Sequence, residues 1–525
     1  MSIAKRILLG ATFGAAAFAI AQSSAAAPEP AKTAAKRDAA ARPAPAARGA
    51  RPPLITGFVQ PGESRLFPRQ MSFPDENGRV GVAFDGEPFD TAAHPFFSRM
   101  PNGRACVTCH QPIDGMSLTL PTIRQRWEAT KGTDPLFDLS DGANCPDLPR
   151  GEAKSHSLLL NRGLFRVALP WPPKRVDGST VDPEFTLEVV SDPTGCNLSS
   201  TYGLASKTPK VSVFRRPRMI GNLRYIEKAR LYYNGKTNEP LEIDPLTGKH
   251  SSMLIMSDAR ATSLLAQSMD AADKHMGLAN LPRSSAERII DFVRRVYVGQ
   301  VQSNVAGPFD RPGVPPALGV KSLVSGEWGV NGNDRNVGVF GFFDAWKSDA
   351  PPRTKAAEFR ASVVRGYDIF FLKPFWIRDT YGINHFAQMP NPMKQTCAFC
   401  HNLQPVGVDN VPGWMDIGIN NFPHSGPAPD LPTFKITCTK AVRPHPFLGR
   451  EIYTHDPGRA LISGKCEDVG GLIMQQMRGL SARAPYFNNG SARTLREVVD
   501  FYDRRYDIKF TEQEKQDLVN FMSVL

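Results

Sequence analysis

Cys106-Val107-Thr108-Cys109-His110 and Cys397-Ala398-Phe399-Cys400-His401 are two copies of one pattern, C-x-x-C-H. In each, two thiols stand at the spacing that forms thioether bonds to the vinyl groups of a porphyrin. The histidine that follows is placed to ligate the iron. One such pentapeptide also fits a zinc half-site or a redox dithiol. Two of them in a chain of eight cysteines point to two covalently bound haem c groups. Cys106 and Cys109 attach one, Cys397 and Cys400 the other, with His110 and His401 as the proximal metal ligands.

The N-terminus agrees with that reading. Lys5 and Arg6 precede the apolar run Ile7–Ile20, and the small residues Ser23–Ala27 follow. The run is short for a bilayer span, and residues 1–27 have the layout of a secretory signal peptide. Covalent haem attachment in bacteria takes place outside the cytoplasm, so motifs and signal together predict a periplasmic protein. No second apolar stretch is long enough to cross a bilayer, so no transmembrane segment is expected in the mature chain. Residues 28–53, mostly Ala, Pro and Arg, read as a disordered spacer. The rest is rich enough in apolar residues, 41% over the whole chain, to build real cores. A net charge of +12 favours an acidic redox partner or a membrane surface; nothing resembles a nucleic-acid module. In an oxidising compartment the remaining cysteines are expected to pair by proximity, as Cys145–Cys196 and Cys438–Cys466.

Helix signals are clearest late in the chain. Thr494-x-x-Glu497 and Thr511-x-x-Glu514 are capping boxes, opening one helix to about Arg505 and a last one with Leu518, Phe521 and Met522 inward. Another helix begins near Lys355, with Phe359, Val363, Val364, Tyr367, Ile369 and Phe370 on its apolar side. Ser284-x-x-Glu287 opens a helix whose apolar face, Ile289 to Val296, runs to about Gly299. A Gly-, Pro- and Asn-rich stretch follows. The expected organisation is therefore an N-terminal haem domain over residues 54–300, a connection over 301–350 and a C-terminal haem domain over 351–525. The expected fold is mostly α: two cytochrome c-like haem domains with long irregular loops, and only scattered strands such as Thr186–Val190.

The segment Arg483–Tyr502, RAPYFNNGSARTLREVVDFY, resembles the APYFHNGS…TLEEVVxFY segment of the bacterial diheme cytochrome c peroxidase and MauG superfamily. The likeness runs from about Phe97 to the end, is weaker before Cys397, and suggests an atypical branch. It implies that His110 serves a peroxidatic iron with an open face, and His401 an electron-transfer iron closed by a second ligand. That ligand is methionine in the peroxidases and tyrosine in MauG-type enzymes. Tyr502 occupies the matching position here, with Met474 and Met477 as competitors. Tyrosinate lowers a haem potential and favours high-valent iron, whereas a thioether raises it.

On the peroxidatic side the chain departs from the family pattern. Tyr233, in Tyr232-Tyr233-Asn234-Gly235-Lys236, stands where the family has a tryptophan between the haems. Leu264-Leu265-Ala266-Gln267-Ser268 matches a helix that carries a distal glutamine, here Gln267. The family's catalytic glutamate is missing, and Asp270, Asp273 and His275 stand nearby. Peroxide cleavage needs a group that takes a proton from one oxygen and returns it to the other. Histidine suits that task, so His275 is the first choice and Asp270 and Asp273 are alternates. His156 is a candidate resting-state ligand. Relatives often hold calcium between the domains, through an asparagine and carbonyls matching Arg483 and Pro485. Here Arg215-Arg216 replaces the asparagine segment, which speaks against calcium and makes these arginines candidate partners of haem propionates.

The implied function is that of an oxidoreductase, a peroxidase reducing hydrogen peroxide to water through high-valent haem iron. A small redox protein, cytochrome c or a cupredoxin, would supply the electrons. The rival readings are oxidation of a partner protein, oxygenation of an organic substrate, and a non-enzymatic diheme electron carrier.

Overall fold

Three antiparallel strands, Gln70–Asp75, Gly78–Phe84 and Val296–Ser303, form the floor of the N-terminal half. The first two join through the tight turn at Glu76-Asn77. Val80, Val82 and Val298 point from this sheet into a core with Phe67, Phe96, Phe97 and Phe292, each aromatic side chain contributing roughly 1.5–3 kcal/mol on burial. The computed structural model describes residues 52–175, 178–227, 243–249, 251–252, 254–326, 342–385, 388–401, 406–407 and 413–525. The expected signal peptide and all but the end of the spacer lie outside them. No helix among the described residues is long and apolar enough to cross a membrane.

Two helices close the N-terminal core. Leu264–Met276 starts at Ser263, whose hydroxyl accepts from the Ala266 amide, and stops at Gly277 with φ 68°, a left-handed stop that suits glycine. Arg283–Arg294 follows. Here the sequence expectation fails in detail. The helix begins at Arg283 after Pro282, so Ser284 is not its cap, and it ends at Arg294. Val296 belongs instead to the strand that pairs with Gly78–Phe84, because β-branched Val296 and Val298 complete a sheet that no local pattern announces.

The C-terminal half is built on three capped helices. Lys355–Leu372 is capped by Thr354 and buries Val363, Val364, Tyr367 and Phe370. It packs on Glu512–Ser523, whose capping box joins Thr511 and Glu514. At the crossing, a Cβ on Gly366 would overlap the Asp517 carbonyl, so only glycine permits this approach. Leu495–Tyr506, capped by Thr494, packs on Glu512–Ser523 as well.

A three-stranded sheet ties the halves together. Phe185–Ser191 pairs antiparallel with Thr433–Cys438, which pairs with Glu451–Thr454. Beside it, Arg215 forms buried ion pairs with Asp456 and Asp258. Disulfides join Cys145 to Cys196 and Cys438 to Cys466.

The expectation of a mostly α fold is therefore corrected. Helix accounts for 29% and strand for 19% of the described structure, the strands lying in six small sheets. Helices announce themselves through caps and local periodicity. These strands are short, and key partners, such as Gly78–Phe84 for Val296–Ser303 and Phe185–Ser191 for Thr433–Cys438, lie far away in sequence.

Candidate functional site

Two cavities contain the two C-x-x-C-H motifs. Each motif folds as a single 3-10 turn, Cys106–Thr108 and Cys397–Phe399, which sets its thiols and its histidine against one cavity wall. Burial pushes the Cys106, Cys109 and Cys397 thiols up to about 12.

The first cavity is lined by Cys106, Cys109 and His110 and, across from them, by Leu264, Gln267, Ala271 and His275 of one helix. These four recur at helical spacing, so one face of Leu264–Met276 looks into the cavity. Nδ1 of His275 lies 2.6 Å from Oδ2 of Asp141. The other Asp141 oxygen takes the guanidinium of Arg104. Arg104 also donates to the carbonyls of Leu136, at 2.9 Å, and of His275, at 3.2 Å. Burial works to raise the Asp141 carboxyl, but the Arg104 charge and the His275 bond outweigh it and hold it below the usual range. An ionised acceptor at Nδ1 keeps a proton there and leaves Nε2 as the basic nitrogen. None of the described residues bonds that Nε2. The imidazole of His110 is pushed down to about 4 by burial, with the Met116 backbone opposing and His275 adding.

The other candidates fall elsewhere. Asp273 pairs with Lys274 at the surface. Asp270 approaches Arg260 at 3.6 Å, and neither aspartate lines the cavity. Tyr233 lies outside the described residues. His156 is fully buried beside Trp127, its ring nitrogens 3.1 and 3.0 Å from the carbonyls of Glu152 and Phe137. It does not reach the cavity, so the structure gives no support to it as a ligand.

In the second cavity the hydroxyl of Tyr502 stands 3.5 Å from Nε2 of His401, with the rings at 86°. His401 donates from Nδ1 to the Gly407 carbonyl at 3.1 Å, which orients the ring and leaves the Nε2 lone pair free. Nitrogen and oxygen thus face each other at hydrogen-bond distance, and His401 and Tyr502 are the residues that would hold an iron there. Met474 and Met477 also line this cavity.

Buried cations test whether haem fits. Arg216 lines both cavities, Arg218 the first and Arg483 the second. Their side-chain hydrogen bonds run to backbone carbonyls: Arg216 to Leu118 and Arg483, Arg218 to Ile473 and Met474, Arg483 to Gly479 and Gln476. Burial pushes all three down to about 10, with Arg483 adding to the shift of Arg216 and Arg218. Nη1 of Arg216 is buried with no partner among the described residues. Such cations call for anions inside the cavities, and haem propionates are anions of the right reach. Arg215 does not join them, because its guanidinium is already taken by Asp456 and Asp258. The residues present therefore fit haem in both cavities. Arg216, Pro217, Met219, Gln475 and Gln476 form a wall common to the two.

Sequence reasoning passed over Asp141, Arg104 and Arg218, and named Arg483 for its carbonyl and not for its guanidinium. Arg104 lies two residues before Cys106 and could have been suspected from that alone. Asp141 sits in a loop with no spacing signal.

No protein-family model matches the chain. A stretch of 148 residues is 30% identical to a cytochrome-c peroxidase, IdrP1, of Pseudomonas sp. (strain SCT), covering 25% of this chain and 37% of that protein. The sequence likeness is to a peroxidase. The match spans little more than a third of that relative. Among solved structures, hydrazine synthase of Kuenenia stuttgartiensis is 15% identical with a TM-score of 0.29, over 78% of this chain and 93% of that one. A MauG-like protein associated with microbial copper homeostasis is 16% identical with a TM-score of 0.27, over 68% and 92%. Scores this low do not establish a shared fold.

Proposed function

We propose that the chain is an exported diheme peroxidase that reduces hydrogen peroxide to water with electrons from a small redox protein. One observation carries the reading: His275, held by Asp141, faces the same cavity as Cys106, Cys109, His110 and Gln267. Haem bound there supplies an iron that accepts peroxide and stores oxidising equivalents. Nε2 of His275 takes the proton of the peroxide and returns it to the oxygen that departs as water. The Gln267 amide donates a hydrogen bond that orients the oxygens. Asp141 keeps the imidazole in the required tautomer and stabilises its protonated form. Arg104 keeps Asp141 ionised. General acid–base assistance of this kind accelerates a step about 10²–10⁴-fold. The pairs Cys145–Cys196 and Cys438–Cys466 support a periplasmic location, since disulfides persist in oxidising compartments.

The test is peroxide consumption by the haem-loaded protein with a reduced cytochrome or cupredoxin as donor. His275→Ala should lower the rate by about 10²–10⁴-fold without loss of haem. A wild-type protein that carries both haems and leaves peroxide untouched sinks the reading. Tyr502 facing His401 favours a second reading, oxidation of residues in a partner protein. In that case peroxide would modify a co-purifying protein faster than it oxidises a small donor.

A further inference from the structure

Thr380, on the wall of the second cavity, shares a hydrogen bond of 2.9 Å with the hydroxyl of Tyr506. Tyr506 stacks on Tyr502, with ring centroids 6.4 Å apart and planes at 21°. The next residue, Tyr381, is 1% exposed, and its hydroxyl donates to Oδ1 of Asp468 at 2.9 Å. Nε1 of Trp414 donates to the same oxygen at 2.9 Å. The Tyr381 ring also stacks on His385, 5.6 Å away at 29°. The His385 side chain is 43% exposed and meets Glu467 at 3.2 Å. A run of rings and hydrogen bonds, bridged by the peptide link between Thr380 and Tyr381, therefore leads from Tyr502 to the protein surface.

The rings along this run are not equivalent as places to lose an electron. The guanidinium of Arg459 lies 4.7 Å from the Trp414 ring, and that of Arg505 lies 4.7 Å from the Tyr506 ring. A cation at that distance stabilises the intact ring and opposes a positive charge on it. Among the described residues the Tyr506 hydroxyl meets only a neutral hydroxyl, that of Thr380. Oxidation of a phenol requires that its proton leave, and the proton of Tyr381 already points at a buried carboxylate. Among these described rings, Tyr381 combines a built-in proton acceptor with the absence of a described cation over its face.

We propose that Tyr381 is a redox-active tyrosine that carries oxidising equivalents between the C-terminal cavity and the surface at His385. Tyr381 gives one electron to an oxidising equivalent produced by peroxide and its hydroxyl proton to Asp468, leaving a neutral phenoxyl radical. A one-electron donor at the surface returns an electron past His385, and Asp468 returns the proton. Two such cycles supply the two electrons that, with two protons, turn one peroxide into two waters. This inference rests on the peroxidase reading above, which supplies the oxidant.

The experiment mixes the haem-loaded full chain with peroxide, freezes it at short times and records EPR, with haem absorption followed in parallel. Wild type and Trp414→Phe should show a tyrosyl radical. Tyr381→Phe, which removes one hydroxyl and keeps the ring, should lower that signal at least tenfold with its haem bands intact. Asp468→Asn should slow the appearance of the radical at least tenfold while Tyr381 stays in place. A haem response to peroxide with a radical unchanged in Tyr381→Phe overturns the assignment and leaves the peroxidase reading standing. No haem response in wild type overturns both.

Discussion

Replacing Asp141 by asparagine separates the structural role of this carboxylate from its chemical one. The Asp141 side chain is 7% exposed and that of its partner Arg104 is 2% exposed, so the variant leaves a buried guanidinium without its counter-charge. Breaking a buried pair from one side costs about 3–5 kcal/mol. His275→Gln keeps the Arg104–Asp141 pair and removes one hydrogen bond to a charged group, a loss of about 1.5–3 kcal/mol. Both variants should lower the peroxide rate by about 10²–10⁴-fold, because both deprive Nε2 of its role. Urea unfolding followed by far-ultraviolet circular dichroism, beside a peroxide assay, reads the two effects apart. The stability of Asp141 has a defined pH window. Its folded value is depressed, so its contribution is complete above the unfolded carboxylate value of about 3.9 and disappears as pH falls through the lower folded value. Asp141→Asn with wild-type stability would show that Arg104 does not depend on it. His275→Gln with the wild-type peroxide rate would refute the proton shuttle.

Further outcomes follow from other parts of the molecule. Tyr502→Phe removes the oxygen donor that faces His401, so the low-spin EPR signal of one haem should give way to high spin; an unchanged signal removes tyrosine ligation. Serine at both Cys438 and Cys466 opens a loop with a sequence separation of 28, a loss of about 3–4 kcal/mol on a chain-entropy account, measured as a lower urea midpoint. Burial pushes His445 from 6.5 down to about 4, with His385 adding to the shift, and its Nδ1 accepts from the amides of Phe447 and Leu448. The unfolded chain therefore takes up a proton first, and stability should fall by about 1.4 kcal/mol per pH unit as pH drops from 6.5 to 4. His445→Asn should flatten that slope, and equal slopes in both proteins would contradict the assignment.

The most legible parts of the sequence were those with local causes. Thr494 and Thr511 mark helix starts because a side-chain oxygen meets an amide three residues on. The two C-x-x-C-H motifs mark their cavities for the same reason. Helical spacing also separates His275, which shares a face with Gln267 and Ala271, from Asp273 on the same helix. Tertiary pairings were not legible. Val296 extends an apolar helical face by pattern and becomes a strand because Gly78–Phe84 waits beside it. Asp141 acquires its meaning only when a loop brings it to His275, 134 positions away. Arg215 and Arg216 are neighbours in sequence, yet one is consumed by Asp456 and Asp258 and the other faces both cavities.

The sheet that joins Phe185–Ser191 to Thr433–Cys438 also constrains how the molecule is made. Ribosomes add about 5–20 residues per second, so the first of these strands is finished on the order of tens of seconds before its partner exists. Throughout that interval it offers an unpaired edge to any neighbouring chain. The N-terminal haem motif is complete long before the half that contains it can close. Neither half is then a free-standing module: a gene cut between them would leave Phe185–Ser191 without its only strand partner among the described residues and Arg215 without Asp456.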